Sequence, residues 1–211
     1  MTILEELSRC LQNGEDARVG ELTRQAVEQG LPPETILNEG LIAGMNVIGE
    51  RFRIHEIFLP DVLLAARAMY AGMDILKPLF IQGQMPTRGK VVIGTVKGDL
   101  HDIGKNLVGI MLKGAGFEVI DLGHDVPPEK FVDMAASEKA GFIGLSSLLT
   151  TTMPGMKDVI ELVKTRGLSG QVKVVIGGAP VSREYAEEIG ADSFAFDAMN
   201  AVDVFKNLMG T

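Results

Sequence analysis

The stretch Lys97-Gly98-Asp99-Leu100-His101-Asp102-Ile103-Gly104-Lys105-Asn106 sets an imidazole two residues after a carboxylate and three residues before a glycine. That grouping has a chemical use. A neutral imidazole ligates a metal through one ring nitrogen while the other donates to a carboxylate, which fixes the tautomer and raises ligand basicity. A protein-only zinc centre needs a full set of ligands. The other histidines, His55 and His124, are poorly placed to supply one, and the single cysteine, Cys10, excludes a cysteine cluster and an intrachain disulfide. A lone histidine ligand therefore suggests a metal already held by a macrocycle. Taken alone, the pattern is as compatible with a histidine that caps a helix or bonds a backbone carbonyl. It is neither G-x-G-x-x-G with an acidic residue at ribose distance nor G-x-x-x-x-G-K-[ST], so a nicotinamide site and a P-loop are not expected.

Two further stretches bear on the same chemistry. Gly144-Leu145-Ser146-Ser147-Leu148-Leu149-Thr150-Thr151-Thr152-Met153 is a hydroxyl-rich run leaving an apolar segment, suited to bonding a ligand or to capping a helix. Ile176-Gly177-Gly178-Ala179-Pro180 pairs two glycines, which allow a close approach to the backbone or simply make a tight turn.

The elements that must hold these loops follow from periodicity. Beyond residue 89 the chain alternates. Residues 90–96, 117–122, 142–145, 172–176 and 193–196 read as short buried strands. Helical segments fall near 103–114, 128–139, 153–166, 182–189 and 199–209. Such alternation implies a parallel sheet covered on both faces, and the crossover rule favours a doubly wound, flavodoxin-like (Rossmann-like) arrangement. Ligands of these sheets bind at the carboxyl ends of the strands, where all three loops lie. Residues 1–85 instead carry four helical stripes, opened by Ile3-Leu4-Leu7-Leu11, Val19-Leu22-Ala26, Ile36-Leu37-Leu41-Met45 and Leu59-Val62-Leu63-Ala66. Four amphipathic helices with short connections suggest an antiparallel four-helix bundle. Gln82-Gly83-Gln84-Met85-Pro86-Thr87-Arg88-Gly89 reads as the linker between a helical domain, 1–85, and an α/β domain, 89–211.

Composition narrows the class. The 211 residues carry 20 Lys+Arg against 28 Asp+Glu, a net charge of −8, which weighs against nucleic acid or an anionic membrane as partner. Apolar residues make up 46%, enough for a sizeable core. No run is long enough for a transmembrane helix, and no signal peptide is visible in the opening residues, so a reducing, cytoplasmic setting is expected.

In chain order these pieces resemble the cobalamin-binding domain of corrinoid proteins, whose pattern is D-x-H-x-x-G, then S-x-L, then G-G. Here it stands as Asp99-Leu100-His101-Asp102-Ile103-Gly104, Ser146-Ser147-Leu148 and Gly177-Gly178. Met45-Asn46-Val47-Ile48-Gly49-Glu50-Arg51-Phe52 and Phe58-Leu59-Pro60 are similar to the helical cap of cobalamin-dependent methionine synthase, and to that of the small corrinoid proteins of methylamine, methanol, glycine betaine and aryl methyl ether demethylation. The resemblance implies a cobalamin or related corrinoid bound with its own base displaced and His101 as lower axial cobalt ligand. Asp99 would bond the imidazole. Thr152 would supply the hydroxyl that a serine supplies in methionine synthase. Asp102, Ile103, Gly104, Ser146, Leu148, Thr150, Gly177 and Gly178 would line the cofactor site, Met45 would also bind the cofactor, and Phe52 and Leu59 would cover the corrin's upper face. It further implies a methyl group carried on cobalt from a substrate-specific methyltransferase to a second methyltransferase acting on tetrahydrofolate or coenzyme M, with a reductive activase as a further partner. The cap would swing about the linker at 82–89. The rival readings are a cobalamin-responsive regulator, the cobalamin-binding subunit of a radical isomerase, and a flavodoxin-like module without corrinoid.

Overall fold

The computed structural model describes residues 1–80 and 87–210. Residues 82–86 of the expected linker lie outside the described residues. Backbone contacts divide the chain into two compact units, Met1–Thr87 with Gly114–Gly116, and Arg88–Lys113 with Phe117–Thr211.

The first unit is helical. Helix α1 (Ile3–Gln12) opens on a reciprocal cap: Thr2 Oγ1 accepts from the Glu5 N–H, and the Glu5 carboxylate accepts from the Thr2 N–H at 2.7 Å. Its stripe buries Leu7, Cys10 and Leu11. Helix α2 (Asp16–Glu28) buries Val19, Leu22, Thr23 and Ala26, with the Thr23 hydroxyl donating back to the Val19 carbonyl. Helix α5 (Leu59–Leu76) starts after Phe58, whose N–H donates to Asp61 at 2.9 Å. The expected third stripe takes a different form. A turn, α3 (Pro33–Thr35), runs into a π-helical stretch (Ile36–Ile42) and then into α4 (Ala43–Arg53). Leu37, Leu41, Met45 and Ile48 keep steps of four and three residues through these turns, as an α-helical stripe would, so apolar periodicity does not report the widening. Gly40 lies within them, where a Cβ would stand 2.6 Å from Leu7 Cδ2. Among the described residues no helix is long and apolar enough to cross a membrane.

The second unit is a five-stranded parallel sheet in the order β2-β1-β3-β4-β5. Its strands are β1 (Lys90–Thr95), β2 (Glu118–Asp121), β3 (Phe142–Ser146), β4 (Lys173–Gly177) and β5 (Ser193–Ala195). The connecting helices are α6 (Ile103–Gly114), α7 (Pro128–Ser137), α8 (Pro154–Thr165) and α9 (Arg183–Ile189), and α10 (Ala198–Leu208) follows the last strand. Side chains alternate across each strand. Val92, Ile143, Leu145, Val174 and Ile176 point to one face and join Phe131, Val132, Val159 and Ile160 of α7 and α8 in a closed core. The alternate residues form rows on the opposite face: Thr95–Ser146–Gly177 nearest the carboxyl ends, then Ile93–Gly144–Val175. Phe142, one step below Gly144 on that face, packs edge-to-face on Phe205 and Phe117 at centroid separations of 5.4 and 6.3 Å.

Two strand ends meet backbone to backbone. A Cβ on Gly178 would fall 1.8 Å from the Ser147 carbonyl oxygen, and Gly178 has φ +136°. The turn after β4 therefore needs glycine for contact as well as for conformation. Gly178→Ala is expected to cost about 3 kcal/mol in urea denaturation. Gly167→Ala, also at positive φ but with open space around its Cβ, is expected to cost about 1 kcal/mol. Equal losses would show that contact with Ser147 adds nothing.

Candidate functional site

The site is built on the loops after β1 and β3, adjacent strands whose ends the sheet order brings together. The first loop is pinned from several sides. The Thr95 hydroxyl, in a fully buried side chain, donates to the His101 carbonyl at 2.9 Å. The Gly98 N–H donates to Asp125 Oδ1 at 2.7 Å, and the Asp125 N–H donates to the Asp99 carbonyl. At the centre is Asp99, with no exposed surface. Its Oδ1 accepts from the His101 backbone N–H at 3.0 Å and meets His101 Nδ1 at 2.7 Å. Its Oδ2 accepts from the Leu148 N–H at 2.7 Å, the Leu149 N–H at 3.2 Å and the Thr152 hydroxyl at 2.9 Å. Burial opposes ionisation, but these donors outweigh it and hold the carboxyl well below the usual carboxylate range.

With Asp99 ionised, the imidazole proton belongs on Nδ1, leaving a lone pair on Nε2. The His101 side chain is 51% exposed, and Nε2 has no hydrogen-bond partner among the described residues. The network runs one group further. Ser147, fully buried, has its Oγ 2.8 Å from Thr152 Oγ1. His101, Asp99, Thr152 and Ser147 thus form one chain of hydrogen bonds from a half-exposed ring nitrogen into the interior.

His101 stands at the mouth of a slot of about 610 Å³ between the sheet, α6 and α10. Asp102, Ile103, Gly104, Ser146, Leu148, Gly177 and Gly178 also line it. Thr150 is exposed and is not part of the lining. In the helical unit Met45 is 2% exposed, and Phe52 and Leu59 are half-buried. His124 is exposed, and Asp125, at φ +54°, serves the loop that carries Asp99.

Sequence reasoning missed several contributors. Thr95 and Ser147 offer no spacing signal, since a hydroxyl inside or just after a strand looks like any other. Lys105, in the first turn of α6, is given no role by its spacing. Its side chain is 3% exposed, with Nζ held by the two Asp121 oxygens at 2.5 and 2.7 Å and by Asn106 Oδ1 at 2.6 Å. Phe196, 70% exposed at the mouth of the slot, follows β5 with no motif to mark it.

A parallel sheet with this strand order, a slot at its carboxyl ends and a carboxylate-oriented histidine beside it defines a flavodoxin-like ligand-binding module. Comparison with known families identifies the ligand class. Residues 89–205 match the B12 binding domain, and residues 3–77 match a second B12 binding domain model. The chain belongs to the B12-binding family of corrinoid proteins. It is 42% identical over 213 aligned residues to a corrinoid protein of Desulfitobacterium hafniense, covering 100% of this chain and 99% of that one. It is 51% identical over 180 residues to dimethylamine corrinoid protein 1 of Methanosarcina acetivorans, covering 85% and 84%. Among solved structures, the methanol:cobalamin methyltransferase complex of Methanosarcina barkeri matches with a TM-score of 0.91 at 29% identity, covering 99% of this chain and 80% of that one. A cobalamin-binding protein of Desulfitobacterium hafniense matches at 0.77 and 33%, covering 97% of both.

The residues present fit a corrinoid. Among the described residues no three His, Cys, Asp or Glu side chains gather to hold a bare metal ion, so His101 suits a metal that brings its other ligands with it. Leu100, Ile103, Leu148 and Phe196 are 66%, 75%, 43% and 70% exposed around the mouth, an apolar rim that a macrocycle would cover. A Cβ on Gly104 would meet nothing within 4 Å, so the start of α6 leaves space beside the slot.

The Asp99 carboxylate is a stability element as well as an orienting one. Its depressed pKa means that it contributes stability above its ordinary value of 3.8, and that this contribution fades as pH falls below that value. Asp99→Asn, which sets an amide NH₂ against backbone donors, is expected to destabilise the cofactor-free protein by about 2–4 kcal/mol at neutral pH. The gap from wild type should narrow as denaturation is repeated below pH 4. A gap that is constant with pH would show that Asp99 does not hold its charge.

Proposed function

We propose that this chain is the methyl carrier of a corrinoid-dependent methyltransferase system, with His101 Nε2 as the lower axial ligand of its cobalt. The observation that carries the proposal is the hydrogen-bonded chain from Asp99 to His101 at the mouth of the slot. When bound, the corrinoid supplies a cobalt centre able to accept and release a methyl group. The protein's part is to hold and tune it. Asp99 keeps the proton on Nδ1 and so keeps the Nε2 lone pair available. Thr152 and the Leu148 and Leu149 N–H groups keep Asp99 in place and charged. Gly104, Ser146, Leu148, Gly177 and Gly178 line the slot for the cofactor's nucleotide tail. By the resemblance, the half-buried Phe52 and Leu59 would supply apolar cover that keeps water from the metal, whereas Met45, 2% exposed, packs inside the helical unit.

Relatives named dimethylamine corrinoid proteins, with identities up to 51%, support a methylated amine as the class of methyl donor. The donor would be handled by a separate substrate methyltransferase. A second methyltransferase would remove the methyl group to tetrahydrofolate or coenzyme M, and a reductive activase would restore the cobalt when it is oxidised. The solved relative in a methanol:cobalamin methyltransferase complex supports a partner of this kind.

The test is reconstitution of the full chain with hydroxocobalamin, desalting and an absorption spectrum, for wild type and for His101→Ala. Wild type should retain about one corrinoid per chain. His101→Ala should show a shifted axial-ligand band and bind at least about tenfold more weakly. Label from radioactive dimethylamine should reach the loaded wild-type protein only when a substrate methyltransferase is added. Folded wild-type protein that retains no corrinoid would overturn the reading, and a His101→Ala spectrum identical to wild type would remove His101 from the cobalt.

A further inference from the structure

The slot changes character with depth. Its mouth carries the polar side chains His101, Asp102, Ser146 and Asp197. Below them the sheet wall is the cross-strand row Ile93–Gly144–Val175. Val108 of α6 and Ala201 of α10 also line this region, and Phe205 closes it where its ring meets those of Phe142 and Phe117. Every side chain of this deep half is hydrocarbon. Its backbone groups are committed too, to the β1, β3 and β4 ladder and to the interiors of α6 and α10. Lys105 lines the slot, but Asp121 and Asn106 hold its Nζ. Gly144 lets the neighbouring side chains close on the bare backbone of β3. A Cβ there would stand 3.1 Å from Ile93 Cγ2 and 3.5 Å from Phe205 Cζ.

We propose that the deep half of the slot selects the lower base of the bound corrinoid, admitting an alkylated benzimidazole and rejecting a purine. The subsite presupposes that the corrinoid's nucleotide tail enters the slot, as in the function proposed above. Benzimidazole and adenine share one free imidazole nitrogen. Adenine adds two ring nitrogens and an exocyclic amine, each of which loses water on entry. The deep lining of Ile93, Val108, Val175, Ala201 and Phe205 offers none of them a partner. A buried polar group left without a partner weakens binding by about tenfold or more. The methyl groups of 5,6-dimethylbenzimidazole bury hydrocarbon against hydrocarbon at the same depth and gain by it.

The test titrates the cofactor-free full chain with three hydroxo-corrinoids: the dimethylbenzimidazolyl form, the adeninyl form and cobinamide, which has no nucleotide. Binding is read by absorption and by calorimetry. The dimethylbenzimidazolyl form should bind at least about tenfold more tightly than the adeninyl form. Ala201→Ser should reduce that ratio by about threefold or more, because it sets a hydroxyl in the deep half. The variant should still fold, since in the empty protein the new hydroxyl can donate to the Asp197 carbonyl, which already accepts from the residue 201 N–H. Equal binding of the two nucleotide forms, both tighter than cobinamide, would overturn base selection and leave the corrinoid reading intact. Dimethylbenzimidazolyl binding no tighter than cobinamide would overturn it by showing that the tail does not use the slot. An unchanged ratio in Ala201→Ser would overturn the assignment to this lining. Failure of all three corrinoids to bind would remove the proposed function, and the subsite with it.

Discussion

A carboxylate with no exposed surface is costly unless donors surround it, and Asp99 has five. They come from separate stretches of chain: the loop after β1, the first residues after β3, and Thr152 just before α8. None of these stretches can relax alone, because each would leave a buried charge short of partners. The sheet order makes the arrangement possible. β1 and β3 are neighbours although β2 intervenes in sequence, so two loops about 50 residues apart close on one oxygen pair. The charge that organises the loops also fixes the imidazole tautomer, and so local folding and cofactor chemistry depend on the same group.

The sheet sets the slot's depth by its own alternation. On β3 the residues facing α6 and α10 are Phe142, Gly144 and Ser146: a ring at the base, bare backbone in the middle and a hydroxyl at the mouth. The intervening Ile143 and Leu145 face α7 and α8 and fill a dense core. A one-residue slip in register would exchange the two sets, filling the slot and hollowing the core. The burial that stabilises the far face therefore also holds the slot open on the near one.

Much of this was legible in the sequence, for a physical reason in each case. The alternation of apolar runs with helical stripes gave the parallel sheet. D-x-H-x-x-G located Asp99 and His101 because a carboxylate–imidazole pair two residues apart is a local arrangement. Thr152 and Gly178 followed from the resemblance to corrinoid proteins. The contacts that were not legible are those made by the fold rather than by the chain nearby. Thr95 bonds a carbonyl in the next loop, Ser147 bonds Thr152, and Lys105 finds Asp121 across the edge of the sheet. Gly144 carried no sequence signal, since only the fold brings Ile93 Cγ2 and Phe205 Cζ to 3.1 and 3.5 Å from where its Cβ would stand. The π-helical turns of residues 36–42 were invisible because Leu37, Leu41 and Met45 keep a four-residue step that an α-helix also satisfies.

Threonine at position 152 shows how local shape and chemistry are fitted together. A serine would supply the same hydroxyl but would turn freely about χ1, whereas the β-branch of threonine restricts it. The added methyl needs space, and it has it next to Gly98, where a Cβ would stand 3.4 Å from Thr152 Cγ2. Gly98 is also the residue whose positive φ turns the chain from β1 toward Asp99, and its N–H is held by Asp125. One glycine thus makes the turn and leaves room for the methyl. Sterics and the 2.9 Å hydrogen bond then aim the Thr152 hydroxyl at the same Asp99 oxygen. The neighbouring backbone accommodates the threonine, and its hydroxyl completes the hydrogen-bonded chain through Asp99 to His101.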